Sequence, residues 1–230
     1  MLRLITDFDG PIMDVSDRYY CVYQYCLQKT RLPDQIVHQL SKAEFWRLKR
    51  ARIPEYKIGI MSGLDKQQAQ QFAHMRRTTV HDLPYLVHDK LIPGAVEALE
   101  KVQHLGFDLL VMTMRRKQAL QTGLNQGNLA RFFPDNRRYM ISNDHSKTTD
   151  IEDKSMLMRT ALQELPPACD VWMVGDTEAD LIAAKTHNVK VIGVLSGIRD
   201  RACLELYNPD LIVADFSEAV DAIARRIPIS

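Results

Sequence analysis

Residues 171–195 read VWMVGDTEADLIAAKTHNVKVIGVL. The run reads as strand, turn, helix, turn and strand. Residues 171–174 are a short apolar stretch of the kind that a parallel sheet buries on both faces. Residues 178–187 have the helical period, and Asn188 suits the left-handed position just past a helix end. Residues 189–195 are a second apolar stretch. Two parallel strands joined through a helix need a right-handed crossover, which makes this stretch a unit of an open α/β sheet.

The same texture extends in both directions. Upstream, residues 94–104 read as a helix stopped by Gly106, 107–113 as a strand, 117–125 as a helix, 139–142 as a strand and 154–165 as a helix. Downstream, 211–213 read as a strand and 217–226 as a helix. Residues 2–6 form one more apolar strand at the start. Residues 15–92 break the alternation, with helical period and no convincing strand. There Ser16 is positioned to cap a helix whose apolar face is Tyr19, Tyr23, Cys26 and Leu27. Ser41 and Glu44 have the capping-box spacing ahead of Phe45 and Leu48, and Leu64, Gln68, Phe72 and Met75 share one helical face. The expected fold is α/β: a doubly wound, mostly parallel sheet built from residues 1–14 and 93–230, with an α-helical unit inserted at 15–92.

Bulk properties narrow the function classes. The chain has 230 residues, 46% hydrophobic and 26% charged, with a net charge of +1. That composition can build a full core, and the balanced charge provides no global attraction to nucleic acid or to a membrane surface. MLRLITDFDG is too short and too soon acidic for a signal peptide. No apolar run approaches the roughly 18 residues of a membrane span. Cys21, Cys26, Cys169 and Cys203 lack metal-binding spacing and read as thiols of a reducing cytoplasm.

Four short segments carry the chemistry, each near a strand end, where open parallel sheets gather their ligands. They are Asp7-Phe8-Asp9-Gly10, Val111-Met112-Thr113, Asp153-Lys154-Ser155 and Gly175-Asp176-Thr177-Glu178-Ala179-Asp180. In an extended segment Asp7 and Asp9 point to one side, and Gly10 lets the backbone turn close to a ligand. Asp176, with Asp180 one helical turn on, offers the hard oxygens that Mg²⁺ prefers. Thr113 offers a hydroxyl beside exposed amides. Lys154 offers a compact positive charge, with Lys147 a nearby alternative. Each segment alone has a plainer reading: an acidic turn, a helix cap, a β-branched strand residue, a solvated lysine. Their order along one chain sets them apart.

That ordered set resembles the four motifs of the haloacid dehalogenase superfamily, chiefly its capped phosphatases of the phosphoglycolate phosphatase-like kind. Leu91-Ile92-Pro93-Gly94-Ala95-Val96 and Asp180-Leu181-Ile182-Ala183-Ala184-Lys185 are similar to the family segments before its second motif and after its fourth. The likeness covers 1–14 and roughly 91–215; residues 15–92 match only in position, length and helical character. The resemblance implies a Mg²⁺-dependent phosphomonoester hydrolase working through an aspartyl-phosphate. Asp7 would be the nucleophile. Asp9 would be the acid toward the leaving group and then the base toward water, and Lys154 would stabilise charge. Thr113 and Gly10 would bind the phosphoryl group, and Arg115, just after Thr113, stands near the expected cleft as a candidate for substrate binding. Metal would be held by Asp7, Asp9 through its backbone carbonyl, and Asp176, supported by Asp180. The implied partner is a small phosphorylated metabolite, with no nucleic acid and no membrane, and the chain would act as a monomer or homodimer in the cytoplasm. Pro11 and Ser155 depart from the family pattern, Pro11 by removing an amide donor near the phosphate. Other readings are a phosphosugar mutase on the same scaffold, a receiver-type signalling domain and a non-catalytic phosphate binder. The residue 15–92 insert and the Asp-x-Asp pair speak against the receiver.

Overall fold

The computed structural model describes residues 1–146 and 148–226; Lys147, the alternative to Lys154, lies outside them. The chain divides into two compact units, Met1–Asp14 together with the chain from Lys90 onward, and Val15–Asp89. The first opens with strand β1 (Leu2–Thr6) and a short strand β2 (Met13–Asp14).

The second unit is helical: α1 (Ser16–Thr30), α2 (Lys42–Arg50), α3 (Glu55–Met61) and α4 (Lys66–Thr79), followed by a 3₁₀ turn over Leu83–His88. Its core is aromatic. Tyr23 stacks on Phe45 with ring centroids 4.7 Å apart and meets Phe72 edge-on at 6.0 Å, and all three rings are fully buried. The Tyr23 hydroxyl stays satisfied by Ser62 Oγ at 2.8 Å and the Leu40 amide at 2.9 Å, as a buried phenol requires. Tyr19 and Trp46 make an edge contact at 6.0 Å, so these aromatics are packing groups. The Ser41–Glu44 capping box forms at the head of α2. Ser16 does not cap α1: it is the first helical residue, and Val15 stands at the cap with no side-chain hydrogen bond.

The first unit resumes at Lys90. Strand β3 (Lys90–Leu91) pairs antiparallel with β2, Met13 opposite Leu91 and Asp14 opposite Lys90. This ribbon is why the helical unit closes at Asp89, three positions before the expected residue 92. Then follow α5 (Ala95–His104), β4 (Asp108–Arg116), α6 (Lys117–Asn125), β5 (Arg138–Ile141), α7 (Asp150–Glu164), β6 (Asp170–Gly175), α8 (Glu178–Thr186), β7 (Lys190–Val194), α9 (Arg201–Glu205), β8 (Leu211–Val213) and α10 (Phe216–Ala224). Among the described residues six strands form one sheet in the order β5-β4-β1-β6-β7-β8, every neighbour pair parallel. The chain winds outward from β1 in both directions. The carboxyl end of β1 is therefore the switch point at which such sheets leave a crevice.

Sheet and helices share a core of Ile5, Leu110, Met112, Met158, Met173 and Val191, all fully buried. Each such side chain contributes about 1.5–3 kcal/mol on burial. Asn188 takes φ 56° after α8, the left-handed position its place implied. Two element ends differ most from expectation, and one helix is new. Helix α7 starts at Asp150, since Thr149 and Glu152 form a capping box ahead of it. Strand β4 runs past Thr113 to Arg116 through an irregularity in its pairing with β5. The short α9, capped by Asp200 onto the Cys203 amide at 2.9 Å, was not expected. No helix among the described residues is long and apolar enough to cross a membrane.

Candidate active site

Asp7 is the first residue past β1. Its amide donates to the Val174 carbonyl of β6 at 2.8 Å, which continues the sheet pairing one step beyond the strand. One carboxylate oxygen accepts from the Phe8 amide at 2.6 Å, and the other lies 2.9 Å from Lys154 Nζ. The same ammonium is 2.7 Å from Asp180 Oδ1. Lys154 is 1% exposed and sits in the second turn of α7, not at its start, because the helix begins at Asp150. Asp180 is fully buried, and its other oxygen accepts from the Thr177 amide at 3.1 Å and hydroxyl at 2.9 Å. Asp176, first past β6, accepts from the Ile198 amide at 2.6 Å.

Asp7, Asp176 and Asp180 each offer an oxygen within 4.8 Å of the others, and all three residues are buried. Three carboxylates and one ammonium in a dry site carry excess negative charge. Burial, together with Asp180 and Asp9, raises Asp7 to about 7 against the pull of Lys154. Burial, then Asp180 and Asp7, holds Asp176 well above the usual carboxylate range. Lys154 is raised: burial opposes its charge, but Asp180 and Asp7 outweigh burial. A divalent cation relieves such crowding, and an all-oxygen donor set suits a hard ion such as Mg²⁺. The donor chemistry and the charge deficit both fit that ion.

The Asp9 carboxylate stands outside this cluster. Its Oδ1 is held by Arg115, with Nε at 2.7 Å and Nη2 at 2.6 Å. Asp9 is not among the three clustered carboxylates. Thr113 is 1% exposed and lies inside β4 opposite Met140, three residues before the strand end; its hydroxyl accepts from the Arg115 amide at 3.2 Å. Arg116 turns away to the Asn143 carbonyl. The turn after Asp9 closes through the amides of Gly10, Ile12 and Met13, on either side of Pro11. Pro11 thus stands where the turn's own bonds need no donor.

One segment escaped the sequence reading. Ser196, just past β7, donates to the Gly10 carbonyl at 2.7 Å. The next two residues wrap Asp176: Ile198 supplies the amide already described, and a Cβ on Gly197 would fall 1.9 Å from Asp176 Oδ2. Gly10, at φ +91°, approaches the same carboxylate from the other side, where a Cβ would be 2.3 Å from Asp176 Cγ. The signal was present, since Ser196-Gly197 follows a strand end like the four segments identified, but the residue types alone suggested only a turn.

Known proteins share this fold. The family model described as haloacid dehalogenase-like hydrolase matches residues 4–194. A pyrophosphatase PpaX of Bacillus mycoides (strain KBAB4) is 24% identical over 141 residues, 60% of this chain and 63% of that protein. The match therefore spans less than two thirds of that relative. Among solved structures, a haloacid dehalogenase-like family hydrolase of Streptococcus pneumoniae superposes with a TM-score of 0.68 at 18% identity, covering 96% of this chain and 97% of that one. A Clostridium acetobutylicum protein described as a predicted phosphatase gives a TM-score of 0.69 at 21% identity, covering 97% and 98%. With the family model spanning residues 4–194, well over half of its length, the chain belongs to the haloacid dehalogenase-like hydrolases.

Proposed function

We propose that the protein is a Mg²⁺-dependent phosphatase that acts on a small phosphorylated metabolite through an aspartyl-phosphate on Asp7. The observation that carries this reading is Lys154 Nζ bridging Asp7 and Asp180 inside the three-carboxylate cluster. An anionic nucleophile must approach an anionic phosphate, so positive charge has to be in place before attack.

Asp7, Asp176 and the Asp9 carbonyl would hold the cation, with Asp180 in support. Bound there, it would offset the charge of the phosphoryl oxygens. An Asp7 oxygen attacks phosphorus as the bond to the ester oxygen breaks, and Asp9 gives that oxygen its proton. Asp9 then takes a proton from water as the water attacks the aspartyl-phosphate, releasing phosphate and restoring Asp7. Lys154 holds the Asp7 carboxylate in place and balances its charge throughout. Thr113 and the neighbouring amides orient the phosphoryl group. By its place between the first two motifs, the helical unit takes the role of the cap. The four cysteines are free, as a cytoplasmic setting favours.

The test is phosphate release from a panel of phosphomonoesters, with Mg²⁺ or with EDTA and with Asp7→Asn as control. Inorganic pyrophosphate belongs on the panel because relatives at 23–24% identity are named pyrophosphatase PpaX. Release that needs both Mg²⁺ and Asp7 is the expected result. Conversion of a sugar phosphate to its isomer without phosphate release would replace the phosphatase with a mutase.

A further inference from the structure

Arg115 is buried, its side chain 3% exposed, yet it lies near the end of a strand, β4, that over Leu109–Met112 presents apolar groups to the core. The irregularity in β4 explains its aim. Thr113 pairs with Met140 and Arg116 with Ile141, so Met114 and Arg115 have no partner residues on β5. Extra residues of this kind re-aim a side chain beside an active site. The re-aimed guanidinium lies 4.9 Å from the centre of the buried Phe8 ring and turns two nitrogens onto Asp9 Oδ1. Room for it comes from Gly123 in α6. A Cβ there would stand 2.5 Å from Phe8 Cε1 and 3.0 Å from Arg115 Nη1.

We infer that Arg115 is a positioning residue for Asp9, seated between Phe8 and Gly123, and that it acts on turnover through Asp9 instead of by touching substrate. This rests on the acid–base role proposed for Asp9 and revises the substrate-binding role that the sequence suggested for Arg115. A charge-assisted grip by two nitrogens on one oxygen fixes the carboxyl rotamer. A proton donor must meet the leaving oxygen within hydrogen-bond reach. Esters whose leaving group most needs a proton, such as alkyl phosphates, therefore depend most on Arg115.

The test compares wild type, Arg115→Gln, Asp9→Asn and the double variant on 4-nitrophenyl phosphate and on an alkyl phosphate, with Mg²⁺. Positioned acid–base groups contribute about 10²–10⁴-fold. Loss of aim should thus lower kcat of Arg115→Gln about 10–100-fold on the alkyl ester, and much less on the aryl ester, with KM nearly unchanged. In the Asp9→Asn background the second substitution should change kcat by less than about twofold, the non-additivity of residues acting as a unit. Arg115→Lys, which keeps charge but presents one nitrogen, should recover part of kcat, and Gly123→Ala should mimic Arg115→Gln while leaving both partners in place. Additive losses, or a loss confined to KM, would overturn the inference in favour of direct substrate contact. If wild type shows no Asp7-dependent turnover at all, the phosphatase reading fails by that result. Thermal unfolding of the same four proteins then decides the pair: coupling makes it purely structural, no coupling removes it, and either overturns the positioning role.

Discussion

At the scale of single residues, the site depends on how closely backbone and carboxylate approach. Gly197 is the sharpest case. A Cβ 1.9 Å from Asp176 Oδ2 has no room, and the neighbour it strikes is an oriented metal-ligand candidate. Gly197→Ala must push either the carboxylate or the Ile198 amide that holds it. Outer-shell disturbances of this sort typically weaken metal affinity about 10–100-fold, so Mg²⁺ titration of the variant by calorimetry should show a loss in that range with the fold intact. Lys154→Met makes the complementary prediction. It removes the ammonium shared by Asp7 and Asp180 and leaves carboxylates to repel. Protonation relieves that repulsion more completely at pH 5 than at pH 8. The melting temperature of the variant should fall below wild type by more at pH 8 than at pH 5, and an equal deficit at both would mean that charge is not what the lysine supplies.

At the scale of elements, the helical unit contains a buried ionic cluster beside its aromatic core, with Arg76 4.9 Å from the Tyr19 ring centre and 5.6 Å from that of Phe45. Glu55 at the head of α3 accepts from Arg76 of α4 at 2.8 Å and also pairs with Lys49 of α2. Burial would raise the Glu55 carboxyl, but Arg76 and Lys49 outweigh it and bring it down to about 2 from 4.5. A lowered carboxyl stabilises the folded state fully above 4.5, and that gain is lost as pH falls through about 2. The shift corresponds to about 3 kcal/mol. Glu55→Gln leaves Arg76, only 2% exposed, without its counter-charge. Denaturant unfolding at pH 7 should show a loss of about 3–5 kcal/mol, as when one partner of a buried pair is removed; a loss below 1 kcal/mol would show the cluster to be solvated. Elements also show what was legible in the chain. Strands at Leu2–Thr6 and Leu211–Val213 and the helix at Lys117–Asn125 have the bounds their apolar pattern indicated, because burial on both faces or on one stripe writes itself into local sequence. Asp7 and Asp176 could be placed at strand ends for the same reason. The extension of β4 beyond Thr113 could not, since it depends on the register of β5, which is non-local. The Arg115–Asp9 contact, spanning 106 positions, and the Gly197 wrap around Asp176 likewise arise only when strands distant in sequence lie side by side.

At the scale of the whole molecule, the winding of the sheet outward from β1 concentrates negative charge at one end of the α/β unit, and this links folding to protonation and, with a cation held as proposed, to metal binding. Asp7 moves from 3.8 to about 7, with burial the leading cause, and Asp176 moves in the same direction. A carboxyl raised on folding binds its proton more tightly in the native state. The native state therefore carries extra protons between about pH 4 and 7, and stability must fall as pH rises through that window. For Asp7 alone the shift corresponds to about 4 kcal/mol. The carboxyls that folding lowers, Glu44, Glu55, Asp108, Asp153 and Asp170, act in the opposite sense but lower on the pH scale. The metal-free protein should thus be most stable near pH 5 and should lose about 10 °C of melting temperature between pH 5 and 8. Mg²⁺ held as proposed would compete with those protons for the same oxygens, so its stabilisation should grow with pH. At a concentration 100 times its dissociation constant it adds about 2.7 kcal/mol, which restores most of the loss at pH 8 and little at pH 5. Scanning calorimetry at both pH values, with EDTA and with Mg²⁺, measures all four corners of this cycle. A melting temperature that is flat with pH in EDTA, or a Mg²⁺ effect equal at pH 5 and 8, would mean that the three buried carboxylates do not titrate against the cation.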